Sequence, residues 1–200
     1  DMSFSHTTSP KVPTRHATQE ELAARVASGL ETLDTQVDAF VRPMHAAHRT
    51  APAANGGWSI DAILEHLCLT NVAYLDAMHS ALEHAGAGAG AERTTGDWRP
   101  TLGGRLLVAS MQSKWRLPAP KSIVPGPTPR ARVLDALLGT HSVLRDLLRQ
   151  AQGREWTRVR MVSPLSRLVR LNLGDAALVM LRHGERHAQQ MDRVHRSLIA

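Results

Sequence analysis

The sequence predicts an all-α protein, and three features of its 200 residues support that fold class. The apolar residues are mostly Ala, Leu, Val and Met, and aromatic residues make up only 4% of the chain, so the composition favours helices over strands. Apolar residues recur at steps of three and four over several long stretches, which places them on one face of a helix. Glycine and proline concentrate between those stretches. Long helices separated by one long connection predict a four-helix bundle.

The first helix is predicted to follow Thr18. Thr18 and Glu21 have the spacing of a capping box, in which each residue bonds the other's backbone at a helix start. Pro43 should end this helix near Arg42, because proline cannot continue the helical hydrogen bonds. The predicted buried face is Leu22, Val26, Leu30, Leu33, Val37 and Phe40. Residues 48–57 contain proline and a glycine pair and predict a loop.

The second helix is predicted to begin at Ser59, a good N-cap, and to stop before the glycine-rich linker at residues 86–90. A shorter third helix is expected over residues 102–115. Residues 117–129 contain five prolines, which exclude a regular helix or a central strand. We therefore expect a long proline-rich crossover connection there.

The fourth helix is predicted over residues 129–152, with a leucine stripe on one side. Residues 153–174 have many arginines and no clean period, and we expect a loop there. Asn172 or Asp175 should cap the last helix. The chain then divides into a flexible N-terminal segment, residues 1–17, and a single helical bundle domain, residues 18–200.

Charge is distributed unevenly along the chain. Residues 1–92 carry a net charge of −6, and residues 93–200 carry +12. A basic half could attract nucleic acid or an anionic metabolite. No aromatic side chains alternate with these arginines, as a single-strand-binding surface would require. We therefore favour a solvated arginine-rich surface and do not expect nucleic acid as a partner.

Other features bear on the location and assembly of the protein. The sequence has no run of some 18 apolar residues, so we expect no membrane association through a spanning helix. Cys68 is the only cysteine and cannot form an internal disulfide, which fits a reducing cytoplasm. We expect a cytoplasmic homodimer, since dimers are common among helical bundles.

Two histidines in the last predicted helix, His183 and His187, are candidate metal ligands. Residues four apart share a helix face, close enough for two imidazoles to reach one metal ion. Their stripe also includes Met180 and Met191, so both histidines should point toward the core. Buried imidazoles need partners, and a metal, backbone carbonyls or carboxylates would all serve. His66, two turns into the second helix, is the third candidate. Taken alone, its position is more typical of a hydrogen-bonded histidine at the edge of the core than of a metal ligand.

Several neighbouring residues have less specific patterns. His141 lies on the leucine stripe of the fourth helix, where a hydrogen-bonded core histidine is favoured over a functional one. Cys68 follows His66 by two residues and should point elsewhere, so we do not predict it as a ligand. Glu65 could orient a metal ligand through a hydrogen bond, but we expect it to face solvent. Gln190 could orient a ligand through a hydrogen bond.

The segments GGWSIDAILEHL, residues 56–67, and LRHGERHAQQMDRV, residues 181–194, resemble the DinB-like, or YfiT-like, superfamily of damage-inducible proteins. In that family a Trp-Ser pair opens the second helix, and the first metal ligand follows the serine by seven residues, as His66 follows Ser59. The family's last helix supplies two histidines four apart, followed by glutamine, as here. Gly184 departs from the pattern, which usually has a bulkier residue.

The resemblance implies a four-helix bundle that holds a divalent metal, zinc, nickel or iron, through His66, His183 and His187. Some members of the family are S-transferases or isomerases that use a low-molecular-weight thiol. By this resemblance we expect a metal-dependent enzyme of the thiol S-transferase or hydrolase type, with a small-molecule substrate or thiol bound near the basic half. The alternative is a non-catalytic, stress-associated helical bundle that binds a metal or a small ligand.

Overall fold

The computed structural model describes residues 17–85, 96–112 and 120–199, and helices dominate these segments. The predicted all-α class is confirmed at this level. The helices are α1 (Gln19–Val41), α2 (Ala46–Thr50), α3 (Ile60–His84), α4 (Leu102–Gln112), α5 (Val133–Gln150) and α6 (Leu173–Ile199). The strands are β1 (Ala17–Thr18), β2 (Asp97–Trp98), β3 (Arg160–Ser163) and β4 (Ser166–Asn172). None of the described helices is long and apolar enough to cross a membrane.

The starts of α1 and α3 follow the predicted capping chemistry. The Glu21 amide donates to Thr18 Oγ1 over 3.1 Å, and the Thr18 amide donates to Glu21 Oε2 over 2.9 Å. Ser59 Oγ accepts from the Ala62 amide. All six apolar residues predicted for the inner face of α1 are buried. The capping box and the apolar period therefore predicted these helices correctly.

Helix α6 starts with a reciprocal pair of hydrogen bonds. The Asp175 amide donates to Asn172 Oδ1 over 2.9 Å, and the Asn172 amide donates to Asp175 Oδ2 over 3.0 Å. The two residues predicted as alternative caps therefore act together. This arrangement satisfies backbone groups that the first turn of a helix leaves free.

The four longest helices pack side by side. Helix α3 lies against α5 and α6, and α1 lies against the same two helices, while α4 packs on α6. Apolar side chains of these helices and of neighbouring segments form two separate core clusters. The first cluster includes Leu30, Tyr74, Leu144, Trp156 and Leu181. The second cluster includes Leu33, Val37, Cys68, Leu137 and Ala188.

The predicted loop over residues 153–174 is wrong, because this segment contains an antiparallel hairpin of β3 and β4. Alternate residues from Val159 to Ser163 are buried, while Arg160 and Val162 point outward. That alternation is the pattern of a strand with one covered face. The outward valine and the 94% exposed Leu168 obscure it in the sequence.

Other boundaries also differ from the predictions. The short helix α2 extends into the predicted loop at residues 48–57. Helix α5 begins at Val133 rather than near residue 129, because Arg132 has a left-handed φ of 55°. Within the predicted proline-rich crossover, residues 120–129 contain a 3-10 turn at Lys121–Ile123. The glycine-rich linker at 86–90, most of the N-terminal segment, and residues 113–119 lie outside the described residues.

Candidate metal centre

Helices α3 and α6 bring three buried histidines together. His183 Nε2 lies 3.3 Å from His66 Nε2 and 3.0 Å from His187 Nε2. His66 and His183 are 117 positions apart in the chain, so the packing of α3 on α6 creates the cluster. One ligand atom from each ring lies within 4.8 Å of the others. The three predicted ligand candidates therefore form a group that could hold a metal ion.

In two of these rings, the Nδ1 atom points away from the cluster, and we call it the outer nitrogen. Its hydrogen-bond partner indicates which ring nitrogen carries the hydrogen. His66 Nδ1 lies 2.8 Å from the carbonyl oxygen of Ile123, which can only accept a hydrogen bond. His66 Nδ1 therefore carries the hydrogen, and its Nε2 presents a lone pair. His187 Nδ1 lies 2.8 Å from Gln190 Oε1 and donates in the same way. Gln190 thus orients His187, as the sequence indicated.

This protonation leaves the centre of the cluster rich in lone pairs. Neutral imidazole has one N–H, so His183 Nε2 can donate to only one of its two neighbours. Three ring nitrogens that point to one place, with at most one hydrogen among them, are suitable lone-pair ligands for a divalent cation. The fixed outer nitrogens are also typical of metal-binding histidines.

Burial keeps the three rings neutral. His66, His183 and His187 are each less than one-tenth exposed. Desolvation lowers the pKa of His66 and lowers that of His183 well below its usual value. Desolvation and the neighbouring His66 lower the pKa of His187 to about 3. Because only the neutral form has a free lone pair, the cluster would not need to release protons near neutral pH in order to bind a metal.

An aromatic ring and a cation lie next to the cluster. The Trp58 ring packs against His66 with a centroid distance of 4.8 Å. The positive charge of Arg186 also contributes to the lowered pKa of His183 and of His187. Arg186 donates to the carbonyl oxygens of Ser110 and Met111, in α4. The cluster therefore has a flat apolar neighbour and a positive charge nearby.

The expectation that Glu65 faces solvent is wrong. Glu65 is buried, and Arg130 donates to both of its carboxylate oxygens, from Nε over 2.8 Å to Oε2 and from Nη2 over 2.8 Å to Oε1. This pair ties the segment before α5 to α3, next to His66. The sequence carried no signal for it, because the partners are 65 positions apart.

His141 and Cys68 lie outside the histidine cluster. The Cys68 thiol is buried against the Val133 carbonyl, and burial raises its pKa to about 11. His141 Nδ1 lies 2.5 Å from Asp34 Oδ1, so one of its nitrogens is satisfied as a core histidine requires. Asp34, Ile123 and Arg186 were not predicted. Ile123 contributes only a backbone oxygen, which no sequence pattern could reveal.

Fold and site together define a helical protein with a buried three-histidine cluster that could hold a metal ion. A family model described as the DinB superfamily matches residues 29–191. The chain belongs to the DinB superfamily, which confirms the family resemblance of its two motifs. Neither the curated proteins nor the solved structures include a significant match to the chain.

Proposed function

We propose that this protein binds a divalent metal ion, zinc, nickel or iron, through the Nε2 atoms of His66, His183 and His187. The observation that carries this proposal is the convergence of the three nitrogens, with the Nδ1 atoms of two rings already bound to oxygen. The four-helix bundle of the family would supply the frame, with α3 and α6 as the ligand-bearing helices.

We further propose that the centre serves a metal-dependent enzyme of the thiol S-transferase or hydrolase type. Three histidines leave coordination positions open, and a metal in such a site lowers the pKa of bound water or thiol and polarises carbonyls. The chain's own residues would orient the site: Ile123 and Gln190 hold two rings, and Trp58 covers one side of His66. The charge of Arg186 would favour an anionic substrate or a low-molecular-weight thiol.

Elemental analysis of the purified chain tests the metal proposal. We expect about one equivalent of metal in the wild type, as a three-ligand centre requires, and a large loss in His66→Ala. The matched control is His195→Ala, because His195 is also a buried histidine of α6 but lies outside the cluster. Equal metal content in wild type and His66→Ala would contradict the proposal.

A non-catalytic metal- or small-ligand-binding bundle with a role in stress is the second candidate. The absorption spectrum of the cobalt(II)-substituted protein separates it from the thiol-transfer proposal. Low-molecular-weight thiols should shift the spectrum of a thiol-dependent enzyme, because sulfur would enter an open position. An unchanged spectrum across several thiols would contradict the transferase, and lack of ester hydrolysis would then favour the non-catalytic candidate.

Homodimerisation and a cytoplasmic location stay predictions.

A further inference from the structure

A layer of polar side chains lies between the two core clusters. On α3, α5 and α6, a polar residue lies between a residue of the first cluster and a residue of the second. On α1, Asp34 directly follows Leu33, the first residue of that helix in the second cluster. Each of the four packed helices contributes one member. The polar layer consists of Asp34 on α1, Asn71 on α3, His141 on α5 and His183 on α6.

Hydrogen bonds and packing place these four residues at one level of the interior. Asp34 bonds His141, and Asn71 bonds Thr140, the residue before His141. Helix α6 meets α1 at the same level, since a Cβ added to Gly184 would lie 2.6 Å from Leu33 Cδ2. The layer therefore reaches from the Asp34–His141 pair to His183, a proposed metal ligand.

Three buried atoms of the layer have no hydrogen-bond partner among the residues that the structure describes: His183 Nδ1, His141 Nε2 and Asn71 Oδ1. His141 and Asn71 are both only 1% exposed. An unsatisfied buried polar atom costs about 1–3 kcal/mol, so three of them in one layer require an explanation.

The known partners of these residues define which of the three atoms donates. In the neutral ring, His141 Nδ1 donates to Asp34, whose second oxygen accepts from Arg145 over 2.7 Å, and His141 Nε2 is then an acceptor. Thr140 Oγ1 uses its hydrogen on the Leu137 carbonyl and must accept from Asn71. That contact assigns Nδ2 to the Thr140 side and leaves Asn71 Oδ1 as a second acceptor.

His183 supplies the complementary group. If its Nε2 binds a metal, its Nδ1 carries the hydrogen and is a donor. One donor and two acceptors match the bonding of a single water, which accepts one hydrogen bond and donates two. Buried waters typically make about three such bonds to polar groups that the protein leaves unsatisfied.

We propose that Asn71 and His141, through one buried water, hold the outer nitrogen of His183 and are positioning residues of the metal centre. This inference rests on the proposed metal-binding function. With this water, the outer nitrogen of every proposed ligand has a hydrogen-bond partner. The partner is Ile123 for His66, Gln190 for His187, and the water of the polar layer for His183. Asp34, which Arg145 binds through its other oxygen, accepts from His141 Nδ1 and so favours the tautomer that the layer requires.

A cobalt(II) titration of the full chain tests the proposal. His141→Leu removes the acceptor, and His141→Gln retains a polar group at the same position. We expect cobalt affinity to fall roughly 10- to 100-fold in His141→Leu, as for other losses of a group that orients a metal ligand, with a shifted visible spectrum. His141→Gln should recover much of both. Leu137→Val, a packing change on the same helix, should leave the spectrum unchanged.

The outcomes distinguish the two proposals. Wild-type protein that takes up no cobalt would overturn the metal proposal and this inference with it. Cobalt binding with wild-type affinity and spectrum in His141→Leu would overturn only this inference. A measurement that needs no substitution covers the case in which His141→Leu fails to fold. In zinc-loaded wild type, the His183 Nδ1–H signal should show an NMR cross-peak to a long-lived water, and its absence would also overturn the inference.

Discussion

His66 is bound through its Nδ1 to the carbonyl oxygen of Ile123, 57 positions later in the chain. The adjacent Glu65 binds Arg130, which follows in the same segment. Two neighbouring residues of α3 thus bind the segment between residues 120 and 132 at two points, Ile123 and Arg130. The orientation of one proposed metal ligand therefore depends on a segment with only a single 3-10 turn.

Arg130→Ala should loosen this segment and weaken the proposed metal centre. It leaves the buried Glu65 carboxylate without its partner, and we expect a loss of about 1 to 2 kcal/mol in the free energy of unfolding, near the lower end because Arg130 is partly exposed. Metal affinity should fall as well. Urea denaturation and metal titration measure the two effects.

The control for Arg130→Ala is Arg158→Ala, which removes the exposed pair with Glu155 and should have little effect on either quantity. Acid provides a second check. Arg130 lowers the pKa of Glu65 below the ordinary 4.5, so the stabilisation is present above pH 4.5 and is lost as pH falls through the lower folded-state pKa. A destabilisation by Arg130→Ala that stays constant down to pH 2 would contradict this account.

Metal-free protein should lose stability on mild acidification. The folded-state pKa values of all three clustered histidines lie below 6.5, and that of His187 is about 3. Below pH 6.5 the unfolded chain takes up protons that the folded chain excludes. Each strongly shifted histidine should therefore lower the free energy of unfolding by about 1 kcal/mol per pH unit between pH 6 and pH 4.

Urea denaturation in the presence of a chelator measures this slope. His187→Gln should reduce it, because glutamine does not titrate. His79→Gln, at an exposed position of α3, should retain the wild-type slope. Equal slopes in all three proteins would show that the cluster does not control the acid sensitivity.

Gly184→Ala should be coupled to Leu33. Alanine favours a helix over glycine by about 1 kcal/mol, but its Cβ would lie 2.6 Å from Leu33 Cδ2. We expect the substitution to be neutral or destabilising in the wild type and stabilising in a Leu33→Ala background. A double-mutant cycle should give a coupling of about 1 kcal/mol or more.

Gly139 offers the control, since an added Cβ there meets nothing within 4 Å. Gly139→Ala should have the same effect in the wild type and in the Leu33→Ala background. Additive effects of Gly184→Ala and Leu33→Ala would contradict the proposed contact. Coupling would show that the Leu33 side chain fills the space next to Gly184.

Local sequence rules predicted most of the helices and little of the hairpin. The ends of α1 and the starts of α3 and α6 follow from caps and apolar periods that act within a few residues. The hairpin was missed because exposed Leu168 and Val162 break the alternation of its strands. The late start of α5 depends on the backbone conformation of Arg132, which no side-chain pattern indicated.

The candidate site shows the same division between local and long-range information. Four-residue spacing on one helix was enough to place His183 beside His187. The inclusion of His66 depended on the family resemblance. Its partner Ile123 contributes a carbonyl oxygen, and the pairing of Glu65 with Arg130 arises only when distant segments meet. Contacts of this kind depend on tertiary packing, and a single sequence contains no periodic pattern that predicts them.

The division of the interior by a polar layer has a consequence for apolar guests such as xenon. A guest in a dry cavity would have to cross the polar amide, carboxylate and imidazole groups of this layer to pass from one core cluster to the other. Cavities cut by Leu144→Ala and Leu137→Ala, on the same helix but on opposite sides of the layer, should therefore fill as two unconnected compartments.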